Sequence, residues 1–137
     1  MAALRPLGVT ALLAAAVPAG ICGFAWAGDA ARILPSGGEA LVHDALADDD
    51  AAVLRLRYVV DGLGAGYGND AEAVLADMAW LCARDAPARL AELAPDWSEV
   101  VITLMAEPVP FGETRPDVVQ MFDAFTVEDG ACSWSGA

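Results

Sequence analysis

The chain contains no lysine, a single histidine and only three cysteines among its 137 residues, and aromatic side chains make up 7% of it. Without lysine there is no G-x-x-x-x-G-K-[ST] phosphate loop. With His43 as the lone histidine, a zinc site or a Ser-His-Asp or Cys-His catalytic group has little to build on, and no serine lies in a nucleophile-elbow context. Seven arginines stand against twenty Asp and Glu, a net charge of −13. Nucleic acid is therefore excluded as a partner, since each phosphate contact needs a cation to displace counterions. The acidity serves solubility or steers the chain toward a basic protein partner.

The N-terminus is where the sequence is most explicit. Arg5 leads an uncharged apolar run from Leu7 to Val17, closing on Ala25-Trp26-Ala27. This is the layout of a secretory signal peptide over residues 1–27, with small residues preceding a cut before Gly28, and it implies a periplasmic or secreted protein. The alternative is an uncleaved inner-membrane anchor facing the periplasm. About twenty uncharged residues suffice for a span, although Pro18, Gly20 and Gly23 weaken such a helix. The membrane is a partner only in that case. Ile21 before Cys22 disfavours lipid attachment.

Removing the leader leaves one domain's length of chain. Residues 28–38, small and ending Leu34-Pro35-Ser36-Gly37-Gly38, read as a flexible tether, and 39–137 as a single α+β domain. Cys82 and Cys132 remain after processing. In an oxidising compartment they pair most simply as a disulfide, the alternatives being two free thiols or a redox pair, for which C-x-x-C spacing is lacking.

Period-two alternation places Leu54, Leu56, Tyr58 and Val60 on one side of a strand and Arg55, Arg57 on the other, with a looser strand over Ala40 to Leu46 before it. Asp48-Asp49-Asp50 forms the hairpin loop, and a turn centred between Asp49 and Asp50 sets Asp44 opposite Arg55. Asn69 and Glu72 make a variant capping box for a helix carrying Val74, Leu75, Met78, Leu81 and Cys82. That helix is expected to end near Arg84, with a second from Pro87 to Leu93. Ser98 to Ala106, apolar on both faces, reads as a central strand. Asp129-Gly130 reads as a hairpin turn between two final strands. The expected fold is an α+β antiparallel sheet of about five strands, in the order β-β-α-α-β-β-β, packed by a helical pair.

No catalytic, cofactor or metal-binding set emerges. The glycines from Gly62 to Gly68 fall at every second position and miss G-x-G-x-x-G, so a flexible turn is the better reading. The aspartate triplet lacks EF-hand spacing. Twenty acids include no distinguishable pair for glycosidase-type chemistry, and His43 is expected to pack in or beside the first strand. Trp80, Phe111 and Trp134 are the candidate interaction residues, against the plainer reading that tryptophans fill the core. The Pro-rich stretch from Glu107 to Pro116 is longer than a typical connection, and such loops often carry function.

Leu34-Pro35-Ser36-Gly37, Leu54-Arg55-Leu56-Arg57-Tyr58-Val59, Asp77-Met78-Ala79-Trp80-Leu81-Cys82, Pro108-Val109-Pro110-Phe111-Gly112 and Glu128-Asp129-Gly130-Ala131-Cys132-Ser133-Trp134 resemble a family of short exported Gram-negative bacterial proteins of unknown function. The resemblance implies no activity. An acetolactate synthase label attached to some similar chains is contradicted here. A thiamine diphosphate enzyme needs a far larger body and a Gly-Asp-Gly motif, and Asp61-Gly62 and Asp129-Gly130 both lack the leading Gly. The expected function is that of a non-enzymatic protein-interaction or accessory factor. The alternatives are a small ligand binder or hydrolase using the 107–116 loop, and a membrane-anchored accessory subunit of an envelope complex.

Overall fold

The computed structural model describes residues 31–136. The expected leader, and the anchor reading of the same stretch, lie outside the described residues. No described helix is long and apolar enough to cross a membrane.

Six strands form one sheet in sequence order: β1 (Ala31–Ile33), β2 (Glu39–Asp48), β3 (Val53–Val60), β4 (Glu99–Met105), β5 (Gln120–Glu128) and β6 (Ala131–Trp134). A single helix, α1 (Ala71–Leu93), connects β3 to β4. β3 and β4, joined across the helix, pair parallel, whereas every other neighbouring pair is antiparallel. The sheet is therefore mixed and has six strands, not the all-antiparallel five expected. Parallel neighbours need a long crossover, and α1 supplies it.

The sequence also suggested a helical pair, with a break between Arg84 and Pro87. Instead α1 runs unbroken through Pro87. Proline removes one N–H and frees the Ala83 carbonyl. Ala83 is exposed, so water can satisfy it, while Asp85, Ala86 and Leu90 are buried on either side of the proline and hold both halves on the sheet. The cap differs as well. Tyr67–Asn69 forms a 3₁₀ turn, and Asp70, not Asn69, accepts the Ala73 N–H at 3.1 Å.

From Ala31 onward the expected tether is ordered structure. Ile33 pairs with Glu39 and Ala31 with Leu41 across a turn, and Leu34 is buried in the main core. Two carboxylates on α1 hold this N-terminal hairpin. Asp85 accepts from Arg32 Nε at 3.3 Å and from the Tyr58 hydroxyl at 2.6 Å. Asp77, wholly buried, accepts the Ser36 N–H at 3.1 Å together with the Ser36 and Tyr67 hydroxyls. A carboxylate buried without such donors costs several kcal/mol, on the order of the whole domain's stability; here the donors lock the β1–β2 turn and the glycine loop to the helix.

The main core lies between α1 and one sheet face. Leu54, Leu56, Tyr58 and Val60 from β3 meet Val100, Ile102 and Leu104 from β4, under Met78, Leu81 and Cys82 of the helix. Each such leucine stabilises by about 1.5–3 kcal/mol. Cys132 on β6 meets Cys82 with sulfurs 2.10 Å apart and Cα atoms 6.2 Å apart, joining the last strand to the helix.

Candidate functional site

Among the described residues no helix packs on the second face of the sheet. Its cover is the irregular segment 106–119, whose Val109 and Val118 bury against Met105 with Val59 and Ala106 beside them. The cover is partial, and its edge is where the chemistry-bearing side chains collect.

Register decides which ones. The β2–β3 turn centres between Asp50 and Ala51, one residue later than expected, because Ala52 adopts a left-handed conformation (φ 52°) that lengthens the turn. Pairing shifts by two as a result. Asp44 lies opposite Arg57 (3.3 Å) and Asp48 bonds Arg55 (3.0 Å), in place of the expected Asp44–Arg55 pair. A bulge between Val42 and Asp44 leaves His43 unpaired and exposed, with Nε2 3.7 Å from Asp44, so it does not pack as expected. Burial pushes the Asp44 carboxyl above the usual range, against the opposing pull of Arg57 and then His43, and its Oδ1 has no hydrogen-bond partner among the described residues.

Arg57 is almost completely buried at 4% exposure, and its second guanidinium nitrogen donates to the Val109 carbonyl. It thereby ties the covering segment to the sheet. Phe111, at the tip of that segment and 58% exposed, lies 5.6 Å from both the Arg55 and the Arg57 guanidinium. Such stacking is worth about 0.5–1 kcal/mol at an exposed site. A cleft of about 210 Å³ opens beside it, lined among others by Arg55, Thr103, Glu113, Gln120 and Phe122. On the other side of Phe111 a hollow of about 360 Å³ is bounded by Leu46 and the aspartates 48–50.

The three candidate interaction residues do not meet. Trp80 is half-buried against the main core on the helix, with Arg84 stacked on it at 5.6 Å. Trp134 belongs to β6, 61% exposed, its Nε1 donating to Asp123 Oδ1 at 2.8 Å. Only Phe111 belongs to the loop and cleft. The sequence reading missed Phe122, which is 62% exposed on β5 and faces the same cleft. Its signal was the alternation of Phe122 with Met121 and Asp123 in the first of the two expected final strands.

Around this site the charge is one-sided. Each described arginine has a carboxylate within 4.0 Å. Many acids, such as Glu107, Asp49 and Asp50, are exposed. Among the described residues no group of His, Cys, Asp and Glu is arranged to hold a metal ion. The glycine run is a turn in which Gly68 is required, since a Cβ there meets the Leu63 carbonyl oxygen at 2.2 Å.

Fold and site together define a small α+β domain whose mixed sheet is covered by a helix on one face and by a single loop on the other. The chain belongs to the family of unknown function DUF6497, whose profile matches residues 12–136. No curated protein and no solved structure matches it.

Proposed function

We propose that this chain is an exported, non-enzymatic interaction domain that holds a basic protein partner against the loop-covered face of its sheet. The observation that carries the reading is the pair Phe111 and Phe122, both largely exposed and flanking one cleft. Exposed aromatics on a rigid sheet are the kind of anchor on which binding energy concentrates. Charge supports the sign of the partner. With Arg55 and Arg57 already engaged by Asp48 and Asp44, a Lys- or Arg-bearing surface complements the exposed Glu113 in the cleft and Asp49 and Asp50 on the other side of Phe111. A paired-acid hydrolase gains less support, because among the described residues Glu113 is the one carboxylate lining the cleft and it shares it with two arginines.

Location is part of the proposal. The leader pattern argues for export to the periplasm or beyond, and the Cys82–Cys132 bond suits an oxidising compartment.

The test is affinity capture from envelope extracts with the parent protein, a Phe111→Ala/Phe122→Ala variant and a Trp80→Ala variant. A reproducible basic protein retained by the parent and the Trp80 variant but lost by the double variant is expected. Failure of all three to retain a common protein contradicts the reading.

A further inference from the structure

The two long outer-lying strands are only partly covered, and they differ in how their bare edges are treated. β2 extends to Asp48, but β1 pairs with Glu39–Leu41 alone. Beyond that point β2 carries the bulge at His43 and the carboxylates of Asp44 and Asp48, which are devices that discourage a further strand. β5 has a similar overhang. β6 pairs with Phe125–Glu128, and the Ser135 N–H reaches the Ala124 carbonyl at 2.9 Å, where the pairing stops.

From Gln120 to Asp123, then, no described strand lies along the outer edge of β5. Main-chain groups of a strand alternate between its two neighbours. Since the Ala124 carbonyl faces β6, Phe122 and Gln120 turn their N–H and C=O groups to the same, open side. This edge has no bulge, no proline and no lysine. Its one charge, Asp123, is already bound to Trp134 Nε1 and to the Ala124 N–H.

The edge also has a hollow on each face. On the helix side, a space of about 220 Å³ lies between Met121 and the α1 residues Ala71, Val74, Leu75 and Met78. On the opposite side is the 210 Å³ cleft beside Phe111, and Phe122 borders both. Successive side chains of an extended chain point to opposite faces at a rise of about 3.3 Å. Two adjacent apolar residues of an added strand therefore fall one into each hollow, while its backbone meets the groups of Gln120 and Phe122. That combination of an open edge and alternating pockets is how sheets recognise extended peptides.

We infer that the Gln120–Asp123 edge of β5 accepts an extended segment of the partner protein as a seventh strand, with two adjacent apolar side chains seated in the flanking hollows. Glu113, exposed in the lining of the loop-side cleft, and Asp70, exposed next to Ala71 of the helix-side hollow, favour Lys or Arg beside that apolar pair. The inference rests on the interaction-domain reading and names its binding mode.

The experiment selects random short peptides displayed on phage against the purified, disulfide-bonded protein and titrates the enriched sequences by NMR. Peptides with two adjacent apolar residues and a flanking Lys or Arg are expected, shifting the amides of Gln120 to Ala124. Methylating every second peptide nitrogen is expected to weaken binding about tenfold for each edge hydrogen bond lost, and methylating the intervening ones to have little effect. Ala71→Trp, which fills the helix-side hollow from an exposed position, is expected to weaken binding as well. Peptides that bind through Phe111 yet ignore both the methylation pattern and Ala71→Trp overturn strand addition and leave the interaction-domain reading standing. A dimer of the protein that Gln120→Pro dissolves makes a second copy the occupant and overturns the partner-segment inference. A selection that enriches nothing overturns it too, and the capture experiment above still decides the broader reading.

Discussion

The Tyr58 hydroxyl donates to Asp85 Oδ2 at 2.6 Å, joining the central strand β3 to the helix through the middle of an otherwise apolar core. Arg32, from the short first strand, reaches the same carboxylate. One buried acid thus gathers three elements that are far apart in sequence.

Removing the hydroxyl tests that junction. Tyr58→Phe keeps the ring but leaves Asp85 one donor short, and a loss of about 1–3 kcal/mol in urea denaturation is expected. A change within measurement error assigns the holding role to Arg32 alone.

The same residue sets an alkaline limit. Burial first, and then the Asp85 carboxylate, pushes the Tyr58 hydroxyl far above the usual tyrosine range; burial and then the bond to Asp77 do the same to Tyr67. The unfolded chain releases these protons near pH ~10 whereas the folded chain keeps them. Their contribution is therefore full below about pH 10 and declines as pH rises from there toward the raised folded values. Chemical denaturation across that window is expected to show the decline, shallower in Tyr58→Phe. Tyrosinate absorbance of the folded protein that rises at an ordinary tyrosine pH contradicts it.

The Cys82–Cys132 bond closes a loop with a sequence separation of 50 residues. On the chain-entropy account, opening it costs ~4 kcal/mol. Comparing denaturation midpoints of the oxidised protein and a Cys82→Ala/Cys132→Ala variant checks the figure, and equal midpoints show that β6 holds its place by strand pairing alone.

Pro87 is expected to be a defect that packing tolerates. Pro87→Ala restores the N–H to the Ala83 carbonyl and relieves the ring clash, and a gain of about 1–3 kcal/mol is expected. By contrast Gly68→Ala drives a methyl against the Leu63 carbonyl and within 2.9 Å of Met121 Cε, and a loss of about 1–3 kcal/mol is expected. Thermal melts of the two variants moving in opposite directions are the check.

Much of the fold was legible where one residue's environment decides its neighbours'. The alternation from Leu54 to Val60 is plain because β3 has a wholly apolar face on the helix and arginines on the other. The apolar run from Val100 to Met105 marks a strand covered on both sides, and Asp129-Gly130 turns with φ 50° and 76°, as the dipeptide implies. What escaped depended on distant contacts. Ala31–Ile33 has no pattern of its own and is held by Arg32 on an acid 53 residues away. The helix continues past Pro87 because Ala86 and Leu90 are buried on the sheet, which local propensity does not register. The β2–β3 register turned on an alanine with positive φ, a conformation that residue rarely adopts. As for the site, the 107–116 loop and Phe111 were legible from proline content and length, but Phe122 was not, since alternation tells which face a residue takes and not whether anything covers that face.

If another protein binds the loop-covered sheet face, a photo-crosslinking amino acid at position 122 captures it in cells that produce the protein, whereas one at the exposed helix position 76 does not. One reproducible protein adduct at 122 that is absent at 76 is expected. Adducts of the same identity and yield at both positions, or none at 122, contradict it.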